Sequence, residues 1–331
     1  MTGGMGHGKT GLSLAVDRFS STGTVCFEVQ SACRSNVRNR KRQEQDMIDT
    51  SRHWFTEHEE FMHSAFSLQI REKLHEEQSP YQHIEIYATE SFGNLMVIDG
   101  CIMLTSKDNF FYHEMISHPA LFIHAAPKEV WIIGGGDCGT LREVLKHSGV
   151  EAVLQIEIDE RVTRLAEQYF PELCAANDDP RAQLHFIDGI AWVRDAPADC
   201  VDIVIVDSTD PVGPAEGLFS ADFYRDCRRC LRDDGIFVQQ SESPLLHLDI
   251  IGNMRRAMQD AGFARRQALF FPQCVYPSGW WTVTMAGNVP LQSFRREDAA
   301  GKPFATRYYN HDIHSAALAQ PEFFKQAMAA E

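Results

Sequence analysis

Between Val201 and Val206 the chain reads Val-Asp-Ile-Val-Ile-Val, a nearly unbroken β-branched run. A strand with one wet face alternates polar and apolar side chains, whereas a strand apolar at almost every position must be covered on both faces. The middle of a parallel sheet flanked by helices meets that demand, so this run restricts the chain to a few α/β folds. The run then breaks into Asp207-Ser208-Thr209-Asp210-Pro211, with Gly213 and Pro214 close behind. Open α/β sheets bind ligands at the carboxyl ends of their strands. Two carboxylates there, three residues apart on a Pro/Gly-stiffened loop, suit a cationic ligand or a proton transfer. A plain Asx-turn closing a strand would leave the same D-x-x-D signature.

The flanking pattern extends the argument. Strands are expected at Glu129–Ile133, Ala152–Ile158, Leu184–Ile187 and Gly235–Gln240, with helices at Phe110–Ile123, Thr140–His147, Arg161–Tyr169, Ala221–Leu231 and Ile250–Ala261. Two further strands are expected near Arg266–Phe271 and Trp281–Ala286. This alternation predicts a doubly wound, mostly parallel sheet. Upstream, from about Trp54 to Thr105, period-2 stretches such as His83-Ile84-Glu85-Ile86-Tyr87, with turn signals at Gly93-Asn94 and Asp99-Gly100, predict a small antiparallel unit. The expected division is a leader over 1–46, a β domain over 47–107 and a Rossmann-like domain over 108–331.

The first strand of the predicted sheet runs into Gly134-Gly135-Gly136-Asp137-Cys138-Gly139. Gly134, Gly136 and Gly139 fit G-x-G-x-x-G in its required strand–loop–helix setting, and Glu157 follows at the end of the next strand to accept ribose hydroxyls. A nucleoside site is expected. Asp137, however, occupies the position where a pyrophosphate would rest on the helix N-terminus, and two like charges about 4 Å apart repel appreciably. The carboxylate of S-adenosylmethionine meets the same obstacle, while an adenosyl group bearing an ammonium does not. The bland alternative is that Asp137 only caps the helix after it. Asp188-Gly189, after the third strand, is placed to touch the adenine.

Composition narrows the class. The formal charge is −15, with seven Lys/Arg against four Asp/Glu in residues 1–46, so 24 basic and 42 acidic residues make up the rest. Such an acidic body disfavours nucleic acid and anionic lipid and attracts polycations. No apolar run approaches the roughly 20 residues of a membrane span. Nine cysteines without framework spacing predict reduced thiols in a cytoplasmic protein. Cys227-x-x-Cys230 lacks a partner pair, and His58/His63 and His113/His118 are spaced i, i+5 instead of the i, i+4 of a zincin, so no metal site is expected. The P-loop-like Gly3–Thr10 has only two residues before it, too few for the strand that delivers such a loop, and a flexible leader ahead of Met47 is the expectation.

Taken together, these segments resemble the spermidine synthase family of polyamine aminopropyltransferases. The resemblance rests on Phe92–Gly100, Phe111-Tyr112-His113-Glu114-Met115, Gly134–His147, Glu157-Ile158-Asp159, Asp207–Glu216, Tyr276-Pro277-Ser278-Gly279 and the tail motifs Tyr308-Tyr309-Asn310 and Pro321-Glu322-Phe323. It implies a small β domain ahead of a methyltransferase-like Rossmann domain, assembled as a homodimer or homotetramer. It further implies aminopropyl transfer from decarboxylated S-adenosylmethionine, a co-substrate and not a cofactor, to putrescine. By resemblance Asp207 is the general base, with Asp210, Tyr112, Tyr276, His113 and Gln240 at the amine. Gln82 and Asp137 hold the aminopropyl end, Gly134, Gly136 and Glu157 the nucleoside, Asp188 and Gly189 the adenine, and Pro214 borders the donor. Two departures stand out. Cys138 replaces a usual glycine, and Trp280-Trp281 is bulky enough to reshape the amine pocket, whose distal end is expected near Trp54–Phe61. Acceptors such as cadaverine, agmatine or spermidine stay open, as do methyl transfer, a nicotinamide-dependent reaction and a silent partner subunit.

Overall fold

The computed structural model describes residues 53–59, 62–211 and 213–329. The leader and the P-loop-like octapeptide lie outside the described residues. Five strands come first: β1 (His53–Glu59), β2 (Ser64–Gln78), β3 (His83–Thr89), β4 (Asn94–Ile98) and β5 (Cys101–Thr105). They pair antiparallel in chain order. Asp99 and Gly100 make the β4–β5 hairpin with φ of 50° and 85°, the two left-handed residues of a tight primed turn.

The second part alternates α1 (Asn109–Ile123), β6 (Glu129–Gly134), α2 (Gly139–Leu145), β7 (Ala152–Glu157), α3 (Glu160–Tyr169), β8 (Ala182–Phe186), α4 (Gly189–Asp195), β9 (Val201–Asp207), α5 (Ala221–Cys230), β10 (Leu231–Gln240), α6 (Leu248–Asp260), β11 (Arg265–Pro272) and β12 (Trp280–Gly287). The tail carries α7 (Arg296–Ala300), α8 (His311–Ala317) and α9 (Glu322–Ala329). Strand order is β11-β12-β10-β9-β6-β7-β8, parallel from β8 to β10, with β12 and β11 antiparallel at one edge. The two-faced burial of β9 is real. Ile203 and Ile205 pack with Met115, Ile116 and Leu141 on one side, and Val204 and Val206 with Val193, Phe223 and Cys227 on the other.

Four elements escaped the sequence reading: α4, and α7 to α9 in the tail. Each has five to eight residues, about two turns, too short for a 3.6-residue period to declare itself. The expected strand Leu184–Ile187 is displaced to Ala182–Phe186, because Asp188 is already the N-cap of α4.

The order reverses at β6, whose chain crosses one way to β7 and whose other neighbour is β9. The loops after β6 and β9 therefore lie side by side at the carboxyl edge, where a crevice opens in such sheets. The small sheet closes this crevice from above. Its Ile84, Ile86, Met96, Ile98 and Leu104 bury against Leu165, Ala166 and Phe170 of the α3 region. Polar links reinforce the contact: Arg161 grips Glu77 through two hydrogen bonds (2.6 and 2.9 Å), and Ser79 Oγ and Gln82 Nε2 both donate to Asp159 Oδ2 (2.6 and 3.0 Å).

Candidate active site

The glycine loop and Asp207 are built as one unit. The Gly135 N–H donates to the Asp207 carbonyl at 2.7 Å. Gly134, at φ 85°, lies so close that a Cβ there would overlap the Asp207 carbonyl oxygen, and a Cβ on Gly136 would crowd Glu157 Oε2 and Val162. Only a glycine satisfies both demands at position 134. The Asp207 carboxylate is then fixed by two hydroxyls, Tyr112 to Oδ1 (2.7 Å) and Thr140 to Oδ2 (2.6 Å). Burial and the nearby Asp137 carboxylate raise the Asp207 pKa above its ordinary value, with His113, Thr140 and Tyr112 acting in the opposite sense. The group is a stronger base than an exposed aspartate.

Asp137 is held differently. Its Oδ1 accepts from the Gly139 N–H (2.6 Å), and its carboxylate lies 3.2 Å from His113 Nε2. It thus caps the helix start and still lines the cavity. Burial opposes its charge, yet His113 and the Gly139 N–H keep its pKa below the usual value. His113 gains what Asp137 gives: burial lowers it, and the Asp137 carboxylate more than compensates. A Cβ on Gly139 would overlap this imidazole. His113 itself, 1 % exposed, stands behind Asp137 and is not part of the cavity wall.

These groups line a cavity of about 360 Å³. Gln82, Gly134, Gly136, Glu157, Asp188, Gly189, Asp210 and Tyr276 share its wall with Tyr112, Asp137 and Asp207. Burial pushes Glu157 up to about 7, against the Asp159 N–H that its Oε1 accepts. Asp188 also caps α4, accepting from Ile190 (2.8 Å) and Ala191 (3.3 Å) N–H groups. Gly213, Ala215 and Leu218 bring the loop after β9 over the cavity, while the Pro214 side chain lies outside the described residues.

A side chamber of about 40 Å³ opens beyond Asp207, between Tyr112, Asp210, Tyr276, Gln240, Trp281 and Glu57. Tyr276 turns its hydroxyl away, to the Met103 carbonyl (2.5 Å), and presents its ring, which meets Trp281 edge-on at 4.8 Å and Tyr112 at 6.1 Å. Of the paired tryptophans only Trp281 shapes the chamber; Trp280 packs on Phe270 and Phe323. Gln240 reaches the chamber wall and donates to the Thr209 carbonyl (3.4 Å) and to Glu242 (3.3 Å). Sequence reasoning missed Glu242 and His247, which stand in no motif, and passed over Thr140 within Gly134–His147, Asp159 within Glu157-Ile158-Asp159 and Glu57 within the Trp54–Phe61 stretch. The other chemical candidates resolve as structure: His118 bonds His147 (3.0 Å) and Glu143 (3.1 Å) in the core, and Cys227 and Cys230 are free thiols on the buried face of α5.

Six carboxylates line the main cavity, and among its described residues none is basic. A nucleoside-sized crevice of that charge, at the carboxyl edge of a Rossmann-like sheet, suits a cationic ligand. Comparison with known proteins makes the reading specific. Residues 109–296 match the family model described as the spermine/spermidine synthase domain, and residues 53–106 match the spermidine synthase tetramerisation domain. A polyamine aminopropyltransferase of Methylococcus capsulatus is 68 % identical over 275 residues, covering 83 % of this chain and 96 % of its own. One from Nitrosococcus oceani is 64 % identical over 273 residues (82 % and 96 %). The crystal structure of spermidine synthase from Thermotoga maritima superposes with a TM-score of 0.80 at 33 % identity (84 % of this chain, 95 % of that one). A spermidine synthase complexed with the transition-state analogue AdoDATO gives 0.81 at 33 % identity (84 % and 96 %). The chain belongs to the spermine/spermidine synthase family and is an enzyme of the transferase class.

Proposed function

We propose that this enzyme transfers the aminopropyl group of decarboxylated S-adenosylmethionine to putrescine, giving spermidine, methylthioadenosine and a proton. The observation that carries the reading is a cavity whose charged wall residues, Asp207 among them, are all acidic, and which shares Tyr112, Asp210 and Tyr276 with the side chamber. A donor carrying a sulfonium and an ammonium is drawn to such a wall. The carboxylate of S-adenosylmethionine would have to approach Asp137, whose own charge His113 maintains, and this argues against methyl transfer. Glu157 takes the ribose, Asp188 and Gly189 border the adenine, and Asp137 with Gln82 receives the donor ammonium.

A sulfonium is already an activated leaving group, so chemistry waits on the nucleophile. An alkyl ammonium of pKa near 10.4 is protonated at neutral pH and must lose a proton to attack. Asp207, buried beside Asp137 and raised in basicity, accepts that proton, while Tyr112 and Thr140 hold its two oxygens in place. The nitrogen lone pair forms the new C–N bond at the methylene beside sulfur, and the C–S pair leaves on methylthioadenosine. The rings of Tyr112 and Tyr276 supply a cation-tolerant apolar passage. The side chamber has room for a short unbranched chain and ends at Glu57 and Asp210, which favours putrescine over a guanidinium or a longer polyamine.

The test is turnover with decarboxylated S-adenosylmethionine, offering putrescine, cadaverine, agmatine and spermidine separately and scoring methylthioadenosine. Putrescine far above the rest is expected. No release with any amine, from folded protein that binds the donor, overturns the reading. The family description of residues 53–106 also supports assembly from several copies, and light scattering checks that.

A further inference from the structure

Behind the side chamber, β1 and the loop after β10 meet through one imidazole. Glu242 in that loop is 1 % exposed and sits at φ 65°, a left-handed conformation unfavourable for a non-glycine residue. Its Oε1 accepts from Gln240 Nε2 (3.3 Å), which shares the chamber wall with Asp210. Its Oε2 lies 3.1 Å from His247 Nδ1, an ion pair too oblique for an aligned hydrogen bond. The other ring nitrogen, Nε2, is 3.6 Å from Glu59 Oε2 on β1. His247 is itself anchored, its N–H donating to the Ser243 carbonyl (2.9 Å) at the head of α6.

Asp210 faces the chamber with the acidic groups Glu242, Glu57 and Glu59 near it. Carboxyls crowded in this way retain a proton, which an incoming ammonium must displace. A positive charge behind the chamber eases that displacement. We infer that His247 is a positioning residue for the acceptor: clamped between Glu242 and Glu59, it places a positive charge behind the acidic chamber and eases the exchange of a proton there for an incoming ammonium. The inference rests on reading the side chamber as the acceptor site.

The electrostatics agree with this geometry. Burial would strip the proton from His247, but Glu242 and then Glu59 outweigh it and hold the imidazole above its usual value. Burial first, then Glu242, Glu57 and Glu59, hold Asp210 well above its ordinary value. Removing the imidazolium makes the cluster bind protons more tightly, so an ammonium displaces them only at higher pH.

The experiment compares wild type with His247→Gln and His247→Lys at saturating donor, across pH 5.5 to 9. In His247→Gln the acid limb of kcat/KM for the amine should move up by about one pH unit, roughly a tenfold loss at pH 7. Donor affinity should stay unchanged, and His247→Lys, which keeps the charge, should return the limb toward wild type. A His247→Gln limb superimposable on wild type overturns the inference. So does a uniform fall in kcat or donor binding, the mark of a merely structural histidine. Independently of turnover, NMR of ¹³C-histidine-labelled enzyme should show His247 titrating above the free value of about 6.5 and falling in Glu59→Gln. An imidazole at or below the free value overturns the inference on its own, whereas absent amine turnover in wild type with a raised His247 counts against the acceptor reading alone.

Discussion

At Asp207 the chemistry depends on two hydroxyls and a carbonyl contact that no single stretch of chain contains. Tyr112 comes from α1, Thr140 from α2, and the Gly134-Gly135 turn from the end of β6. Replacing Asp207 with Asn keeps the shape and removes the proposed base, so kcat should fall by about 10³ or more while donor affinity survives. Single-turnover rates and donor titration check this, and wild-type-like turnover sinks the role. Gly134→Ala should be worse for folding than for chemistry, because its Cβ would overlap the Asp207 carbonyl oxygen from a left-handed backbone; low soluble yield and a lowered Tm are the readout. The sequence displayed those residues that stand next to each other in a motif, such as Asp207 with Asp210 or Gly134 with Asp137. Glu57, Glu242 and His247 were not legible, since nothing around an isolated Glu or His in the chain tells which strand end it will face. His113 was legible as a residue of interest, but its motif could not show that it stands behind Asp137.

Among the elements, the buried strands and the longer helices announced themselves, and α4 and the tail helices did not. β9 was readable because its apolar content leaves no wet face, while α4 has seven residues and two buried ones, Gly189 and Val193. The helix that matters most is α1. It carries Tyr112 and His113 toward the site, and between them and its buried face stands Glu114, 2 % exposed. The Glu114 carboxylate accepts the N–H groups of Arg307 (2.7 Å), Tyr308 (2.8 Å) and Tyr309 (2.7 Å). Glu114→Ala leaves three donors without their acceptor and should cost about 3 kcal/mol. Urea unfolding should show that loss as a lowered midpoint, with Asp207-dependent chemistry retained in the folded fraction.

For the molecule as a whole, the chamber proposed for the acceptor lies where the two sheets meet: Glu57 belongs to β1 and Asp210 to the loop after β9. Burial, partly offset by the Ile102 N–H, pushes Glu57 up to about 7. Protonated below that value, Glu57 offers no charge to an ammonium, so affinity for the amine should fall as pH drops through about 7. Glu57→Gln should raise the amine KM about tenfold or more at pH 8 and flatten its pH dependence; initial rates at pH 6, 7 and 8 decide it. The partition into two sheets was visible in the sequence as a change from period 2 to strand–helix alternation, but which edges would touch was not. The Glu114 clasp has one more consequence, in time. The helix that presents Tyr112 and His113 is made early in synthesis, and its carboxylate waits for backbone donors up to 195 residues further along the chain. Until the 307–309 segment docks, the Glu114 carboxylate lacks these donors, so α1 and the Tyr112 it carries should reach their final seat later than the Asp207 loop.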